Sequence, residues 1–367
     1  MTRSLEDLAS PYLRGLIPYS PGKPIEEVER ELGIRGSVKL ASNENPLGPS
    51  PLALAALREA LPEVHRYPDG SGYRLSQALA RHWDVSPDMV ILGNGSNELL
   101  ELAGRCFLVP GDEAVYARQA FVVYDMVAQV TGATKAAVPL KEFTHDLPAM
   151  RAAISPRTKL VFLANPNNPT GTAVPPRVLE DFIVAAPPEV LVIVDEAYYE
   201  YLPPDLAPDT LRFVRAGRPV LVLRTFSKIY GLAGLRIGYG IGPAPLIALL
   251  NRGRQPFNTN SLAQAAATAA LGDSQHVRST RAITGAGRKY LTEQCRSLGL
   301  FVVPSVANFL LVDVGRPGAA TADALLRQGV IVRPMAGYGF PTHLRISIGT
   351  PPENERCVAA LKAVLGK

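Results

Sequence analysis

The 367-residue sequence contains no uninterrupted apolar run of membrane-spanning length. Its first residues, Met1-Thr2-Arg3-Ser4-Leu5-Glu6-Asp7, lack the apolar core of a secretion signal. A soluble, cytoplasmic protein without a membrane partner is therefore expected. Cysteine is scarce: Cys106, Cys295 and Cys357 lie far apart, with no C-x-x-C pair and no Cys/His cluster. That argues against a disulfide scaffold and a bound metal, and suits a reducing compartment. No run of Lys/Arg marks a nucleic-acid or membrane patch, so the formal charge of +5 is read as compatible with small anionic ligands. Charged residues make up only 19% of the chain against 47% hydrophobic, which excludes disorder. Internal repeats and low-complexity segments are absent as well.

What is present is alternation. Residues 1–35, rich in Pro, Gly, Tyr and charge, read as an N-terminal arm lying over a surface. Helical patterns then alternate with short apolar runs at 89–92, 113–116, 135–138, 159–164, 190–194, 219–223 and 237–241. Continuous Val/Ile/Leu runs are the mark of strands buried on both faces, so 36–260 is expected to be a large α/β domain with a mostly parallel, seven-stranded sheet. The character changes after 260. Helices are expected at 261–271, 285–298 and 322–328, and strands at 308–314, 330–333 and 344–348. A last helix opens with Thr350-Pro351-Pro352-Glu353, a capping box with proline in its first turn. Residues 261–367 thus read as a smaller α+β domain.

Chemistry-bearing residues fall at the ends of the strand runs, where open α/β sheets bind ligands. The run at 219–223 is followed by Arg224-Thr225-Phe226-Ser227-Lys228, with Arg236 eight residues after the lysine. A buried lysine is costly unless neutralised, and burial with nearby cations lowers its pKa from about 10.4, leaving an amine able to form a Schiff base. Thr225, Ser227 and Arg236 can meet one phosphate from several sides. Together they fit an aldehyde cofactor carrying a phosphate, such as pyridoxal 5'-phosphate. The glycine turn Gly93-Asn94-Gly95-Ser96-Asn97 precedes a helix whose free N–H groups form an anion site. In Asn165-Pro166-Asn167-Asn168-Pro169, two prolines stiffen the loop, and the Asn168 amide can donate to a phenolate oxygen of a bound ring. Asp195 ends the most apolar strand and needs a cation, which a protonated pyridine nitrogen would supply; Tyr198 can join Asn168 on the phenolate oxygen. Phe121 or Tyr124 can stack on a planar ring.

Each residue has a plainer reading on its own. Lys228 is then an exposed lysine, Ser96 and Asp195 are helix caps, and Phe121 and Tyr124 are core aromatics. Tyr67 becomes a surface tyrosine, and Arg333 and Arg345 become surface ion pairs.

The set as a whole resembles the fold-type-I pyridoxal-phosphate aminotransferases, in the branch of the histidinol-phosphate aminotransferases. The resemblance covers nearly the whole chain: Tyr19-Ser20-Pro21-Gly22-Lys23-Pro24, Leu40-Ala41-Ser42-Asn43-Glu44-Asn45-Pro46, Arg66-Tyr67-Pro68-Asp69, Gly93-Asn94-Gly95-Ser96, Asn167-Asn168-Pro169-Thr170-Gly171, Asp195-Glu196-Ala197-Tyr198, Ser227-Lys228 with Arg236, and Val332-Arg333-Pro334 with Leu344-Arg345-Ile346-Ser347. It implies that Lys228 bonds to the cofactor aldehyde and then shuttles the proton. It also implies Asp195 on the pyridine nitrogen, Asn168 and Tyr198 on the phenolate oxygen, and Phe121 on the ring face. The phosphate would meet Gly95, Ser96, Asn97, Thr225, Ser227 and Arg236, with Tyr67 entering from the partner of a homodimer with shared sites. Asn97 stands where many relatives carry aspartate, and Phe121 replaces a common tyrosine.

For substrates the resemblance implies a phosphorylated amino alcohol alternating with glutamate/2-oxoglutarate, gripped by Arg333 and Arg345, with Tyr19 from the arm. An aromatic amino-acid aminotransferase or a threonine-phosphate decarboxylase would share every cofactor residue. A cofactor-sensing regulator would need a DNA-binding segment, for which residues 1–35 are too short and Pro-rich.

Overall fold

The computed structural model describes residues 5–18 and 22–367. Strand β1 (Val38–Lys39) precedes the seven strands of the main sheet. These are β2 (Val90–Gly93), β3 (Glu113–Ala117), β4 (Thr134–Val138), β5 (Thr158–Ala164), β6 (Leu191–Asp195), β7 (Val220–Thr225) and β8 (Gly238–Ile241). Their order is β2-β8-β7-β6-β5-β3-β4, parallel throughout except for β8, which runs against both neighbours. Every residue of β6 and β7 is buried, as two-sided cover by helices demands. Pairing sets the chemistry in a row, because Ala164 lies beside Asp195 and Asp195 beside Leu223. Thr225 pairs with Gly238, where a Cβ would stand 2.5 Å from the Ser96 amide nitrogen. Glycine is what lets the helix Ser96–Phe107 start this close to the sheet.

A second sheet is built from β9 (Phe301–Val302), β10 (Phe309–Asp313), β12 (Arg333–Pro334) and β13 (His343–Ser347), in the order β12-β13-β10-β9 and antiparallel. Between them β11 (Val330–Ile331) leaves that sheet and pairs in parallel with β1. The single strand expected at 330–333 is therefore two, serving different sheets. The smaller core gathers Leu310, Val312, Val330, Leu344, Ile346 and Leu361, with Leu40 among them.

Both expected domain boundaries differ from the packing. The helix Ser261–Gly272 buries Ala263, Ala266, Ala267 and Ala270 in the large core, against the helix Pro51–Ala60. An Ala-rich face permits that close approach. The transition instead runs along one 24-residue helix, Ser274–Ser297, whose later turns place Leu291 and Cys295 in the small core; the sequence had suggested only its second half, 285–298. At the other end, the helix Ile25–Leu32 packs Val28 on Ile331 and Ala41, so the segment from 25 to 41 belongs with the small unit rather than to a surface arm or the large domain. The final helix, Pro351–Leu365, carries the expected capping box, with the Thr350 N–H donating to the Glu353 carboxylate at 2.7 Å. No helix of the described residues is long and apolar enough to cross a membrane.

Candidate active site

A cavity of about 700 Å³ opens beyond the carboxyl ends of β5, β6 and β7, between the two sheets. Ser96, Asn97, Phe121, Asn168, Asp195, Tyr198, Thr225 and Ser227 all line it, as do Lys228, Arg236 and Arg345. Residues separated by up to 249 positions, from Ser96 to Arg345, thus meet in one place.

One end of the cavity is built for an anion. The helix Ser96–Phe107 starts there with its first-turn N–H groups lacking intrahelical partners. Gly95, at φ 78°, does not line the cavity but backs it: a Cβ there would lie 2.6 Å from Nη2 of Arg236. Arg236 itself is held in the left-handed region at φ 54°, with Nη1 donating to the Ala233 carbonyl at 2.9 Å and to Ser227 Oγ at 3.4 Å. Thr225 Oγ1 accepts from the Ser227 N–H at 3.1 Å, so the two hydroxyls and the guanidinium form one concave group. Asn97 turns its amide onto Glu101 at 2.9 Å, leaving its backbone N–H as its share of the anion site.

Lys228 follows β7 and projects its amine into the cavity, where Nζ donates to the main-chain carbonyl of Ser42 at 3.3 Å. Burial first, then the Arg345 and Arg236 charges, lower its pKa to about 8, against the opposing pull of Glu44 and Asp195. A lysine so placed is neutral much more often than an exposed one. Asp195 is 7% exposed; burial pushes its carboxyl above the usual range. Hydrogen bonds from the Tyr124 hydroxyl at 2.8 Å and the Ala197 N–H at 3.2 Å, with the Lys228 charge, oppose that rise. A cation brought to this carboxylate would find a desolvated, pre-oriented partner.

On the opposite wall the loop between β5 and the helix Pro176–Ala185 carries Asn168, which is 9% exposed, and both of its Asn–Pro bonds are cis. Arg345, 5% exposed on β13, donates to Asn168 Oδ1 at 2.6 Å and to the Ala41 carbonyl at 2.7 Å. The Asn168 oxygen being engaged, its Nδ2 is the end available to a bound ring. Arg333 sits directly across from Arg345 on β12 but is not among the cavity-lining residues. Phe121 presents its ring at the cavity, edge-on to Tyr124 with centroids 5.9 Å apart. Tyr67 is elsewhere: 83% exposed, stacked on Phe257 at 4.8 Å, and outside the cavity of its own chain. Tyr19 lies outside the described residues.

Several residues that the structure brings in had another role in the sequence reading, or none. Tyr124 was a stacking or core candidate, yet its hydroxyl serves Asp195. Ala41, Ser42 and Asn43 each touch a functional group, namely Arg345, Lys228 and Tyr198. Behind the strand ends, Glu196 and Arg224 form a fully buried ion pair at 2.7 Å. The guanidinium lies 3.7 Å from the ring centres of both Trp83 and Tyr199. Alternation along β6 and β7 puts this pair on the opposite face from Asp195 and Thr225, where it ties the two strand ends together. A carboxylate and an arginine one residue away from the site residues were the available signals.

An anion cradle, a lysine of lowered pKa, a buried carboxylate, and an amide and a phenol lining one cavity suit the parts of a phosphorylated pyridine aldehyde. Comparison with known proteins agrees. The family model for aminotransferase class I and II matches residues 35–361. A histidinol-phosphate aminotransferase of an Anaeromyxobacter species is 53% identical over 361 residues, covering 98% of this chain and 99% of that one. Histidinol-phosphate aminotransferase 1 of Nitrosococcus oceani is 51% identical over 358 residues, covering 98% and 97%. The crystal structure of histidinol-phosphate aminotransferase from Sinorhizobium meliloti in complex with pyridoxal 5'-phosphate superposes with a TM-score of 0.89 at 30% identity, covering 98% and 97%. By site, fold and sequence, the chain belongs to the aminotransferase class I and II family.

Proposed function

We propose that this chain is a pyridoxal-phosphate-dependent aminotransferase of histidine biosynthesis, interconverting L-histidinol phosphate and 2-oxoglutarate with imidazole-acetol phosphate and L-glutamate. The relatives at 51–53% identity are named histidinol-phosphate aminotransferase, which supports this reading. The observation that carries the substrate reading is the position of Arg345, buried at the cavity with its fork on Asn168 and Ala41. One planar guanidinium grips a phosphate or a carboxylate bidentately, which two substrates sharing only an anion require. Arg333, opposite on β12, adds a second positive charge to the same face of the sheet.

When bound, pyridoxal phosphate supplies a ring that withdraws electrons from the substrate carbon. Ser96, Asn97, Thr225, Ser227 and Arg236 would hold its phosphate, and Asp195 its ring nitrogen as a cation. Asn168 Nδ2 and the Tyr198 hydroxyl would donate to its phenolate oxygen, and Phe121 would cover one ring face. Lys228 Nζ, in the same cavity, would be the amine that holds the cofactor's aldehyde carbon. With its pKa lowered to about 8, the Lys228 amine would act as the base that takes the proton from the substrate carbon bearing the amine and as the acid that returns it. Arg345 holds the substrate anion so that this carbon faces Nζ.

The partner completing the site is a second copy of the chain. From Leu52 to Tyr73 the surface exposes Leu52, Leu54, Leu61, Val64, Tyr67 and Tyr73, an apolar stretch unusual for a monomer. Tyr67 would enter the partner's anion cradle from there. A cytoplasmic setting belongs to the same reading and suits three free cysteines.

The test mixes the cofactor-loaded enzyme, without a keto acid, with histidinol phosphate, phenylalanine, glutamate or O-phosphothreonine and follows the cofactor's visible band. Loss of the band with histidinol phosphate and with glutamate is expected. Loss with phenylalanine but not histidinol phosphate overturns the substrate, and carbon dioxide from O-phosphothreonine points to a decarboxylase.

A further inference from the structure

We propose that Asn43 is a positioning residue: it fixes the direction of the Tyr198 hydroxyl proton, so that Tyr198 donates to, rather than accepts from, the group bound in the cavity. The inference rests on the reading of that group as pyridoxal phosphate with its phenolate oxygen at Tyr198.

The hydrogen-bond geometry is directional. Asn43 Nδ2 donates to the Tyr198 hydroxyl oxygen at 2.9 Å. A phenol has one proton, so an oxygen accepting from Asn43 must send its proton elsewhere. Tyr198 is 5% exposed, with its ring edge-on to Phe309 at 5.2 Å and its face toward the cavity that Lys228 enters. The orientation of the Asn43 amide is set by a third group. Ser347 Oγ accepts the Asn43 backbone N–H at 2.8 Å and lies 3.0 Å from Asn43 Oδ1. Having accepted the N–H, the serine hydroxyl spends its own proton on Oδ1, which leaves Nδ2 as the end facing Tyr198. The result is a one-way relay of donors, from Ser347 to Asn43 to Tyr198 and into the cavity.

The relay is held rigidly. Asn43 is 1% exposed and sits in the left-handed region at φ 55°, a conformation that asparagine tolerates better than most residues. Its carbonyl accepts from Asn308 Nδ2 at 3.0 Å. Ser347 lies two residues from Arg345 on β13, so the strand that bears the substrate-binding arginine also orients the phenol. The charged and titratable groups around Tyr198 are Arg345 from the small unit, Asp195 from the end of β6, Lys228, Tyr338, Tyr124 and Tyr201. Burial dominates among them and pushes the phenol up to about 12, so the proton to be aimed is present at neutral pH.

The test uses the cofactor-loaded enzyme and reads the pH midpoint of its visible absorbance change, not its turnover. A donor to the phenolate oxygen favours the deprotonated form of the lysine-linked cofactor and lowers that midpoint. Asn43→Asp keeps the shape and the left-handed backbone but replaces the donor by an acceptor, drawing the tyrosine proton away. It is expected to raise the midpoint by about one unit, in the range of a charge-assisted hydrogen bond, as Tyr198→Phe should. In the Tyr198→Phe background Asn43→Asp should then add little. Ser347→Ala, which adds no charge and frees the amide to flip, should move the midpoint the same way by less. An Asn43→Asp shift equally large without the Tyr198 hydroxyl would mean that the new charge acts alone, and would overturn the proposal. So would an unmoved midpoint in both Asn43→Asp and Ser347→Ala. Absence of any visible band in the wild-type enzyme given pyridoxal phosphate would instead sink the cofactor reading beneath it.

Discussion

The Tyr124 hydroxyl donates to the Asp195 carboxylate at 2.8 Å, while the Tyr124 ring stacks on Phe162 with centroids 5.0 Å apart. The phenol thus helps to keep a desolvated carboxylate ionised and aimed. Hydrogen bonds to charged groups are worth about 1.5–3 kcal/mol. Tyr124→Phe, which keeps the stacked ring, is expected to weaken pyridoxal-phosphate binding by roughly tenfold or more. Equilibrium dialysis of the loaded variant checks this; unchanged affinity would mean that Asp195 does not depend on Tyr124.

Arg345 and Arg333 occupy paired positions on β13 and β12, yet only Arg345 lines the cavity. Arg345→Gln should raise KM for both substrates about a hundredfold, since its charge-assisted bonds reach the anion directly. Arg333→Gln should cost less, acting through its field. Steady-state kinetics on the two variants, with glutamate and histidinol phosphate in turn, separate these cases. A larger effect at Arg333 would move the anion site onto β12.

Lys228 gives a pH signature in the cofactor-free protein. Its folded pKa, about 8, lies below the 10.5 of a free lysine side chain. The charged amine therefore costs stability in full below about pH 8, and the cost fades as pH rises toward 10.5, because the folded state loses its proton before the unfolded state does. Lys228→Met should raise the Tm of the cofactor-free protein at pH 7, with the advantage shrinking by pH 10. Calorimetry across that range checks the sign, and an advantage that grows with pH would contradict it.

The sequence carried the strand ends because strands buried on both faces must be continuous apolar runs, and the residue ending each run is the one exposed to a ligand. Asp195, Lys228 and Asn168 were legible for that reason. The strand expected at 330–333 was not, since nothing local tells Val330 and Ile331 to pair with Val38 and Lys39, and Arg333 and Pro334 to pair with Arg345 and Leu344. Helix 261–272 was misplaced because its pattern announces a small-residue face without naming the core that receives it. The contacts of Asn43 with Ser347, 304 positions away, are likewise invisible to local periodicity, although they aim the Tyr198 proton.

These strand-end residues are expected to move an amino group from histidinol phosphate through one cavity. The direct measurement supplies histidinol phosphate labelled with ¹⁵N at the amine, together with unlabelled 2-oxoglutarate, and follows the label by mass spectrometry. We expect the label to appear in glutamate in step with formation of imidazole-acetol phosphate, and Lys228→Ala to bind the cofactor but transfer label about 10⁴-fold more slowly or not at all. Unlabelled glutamate, or full transfer by Lys228→Ala, would contradict amino transfer through Lys228.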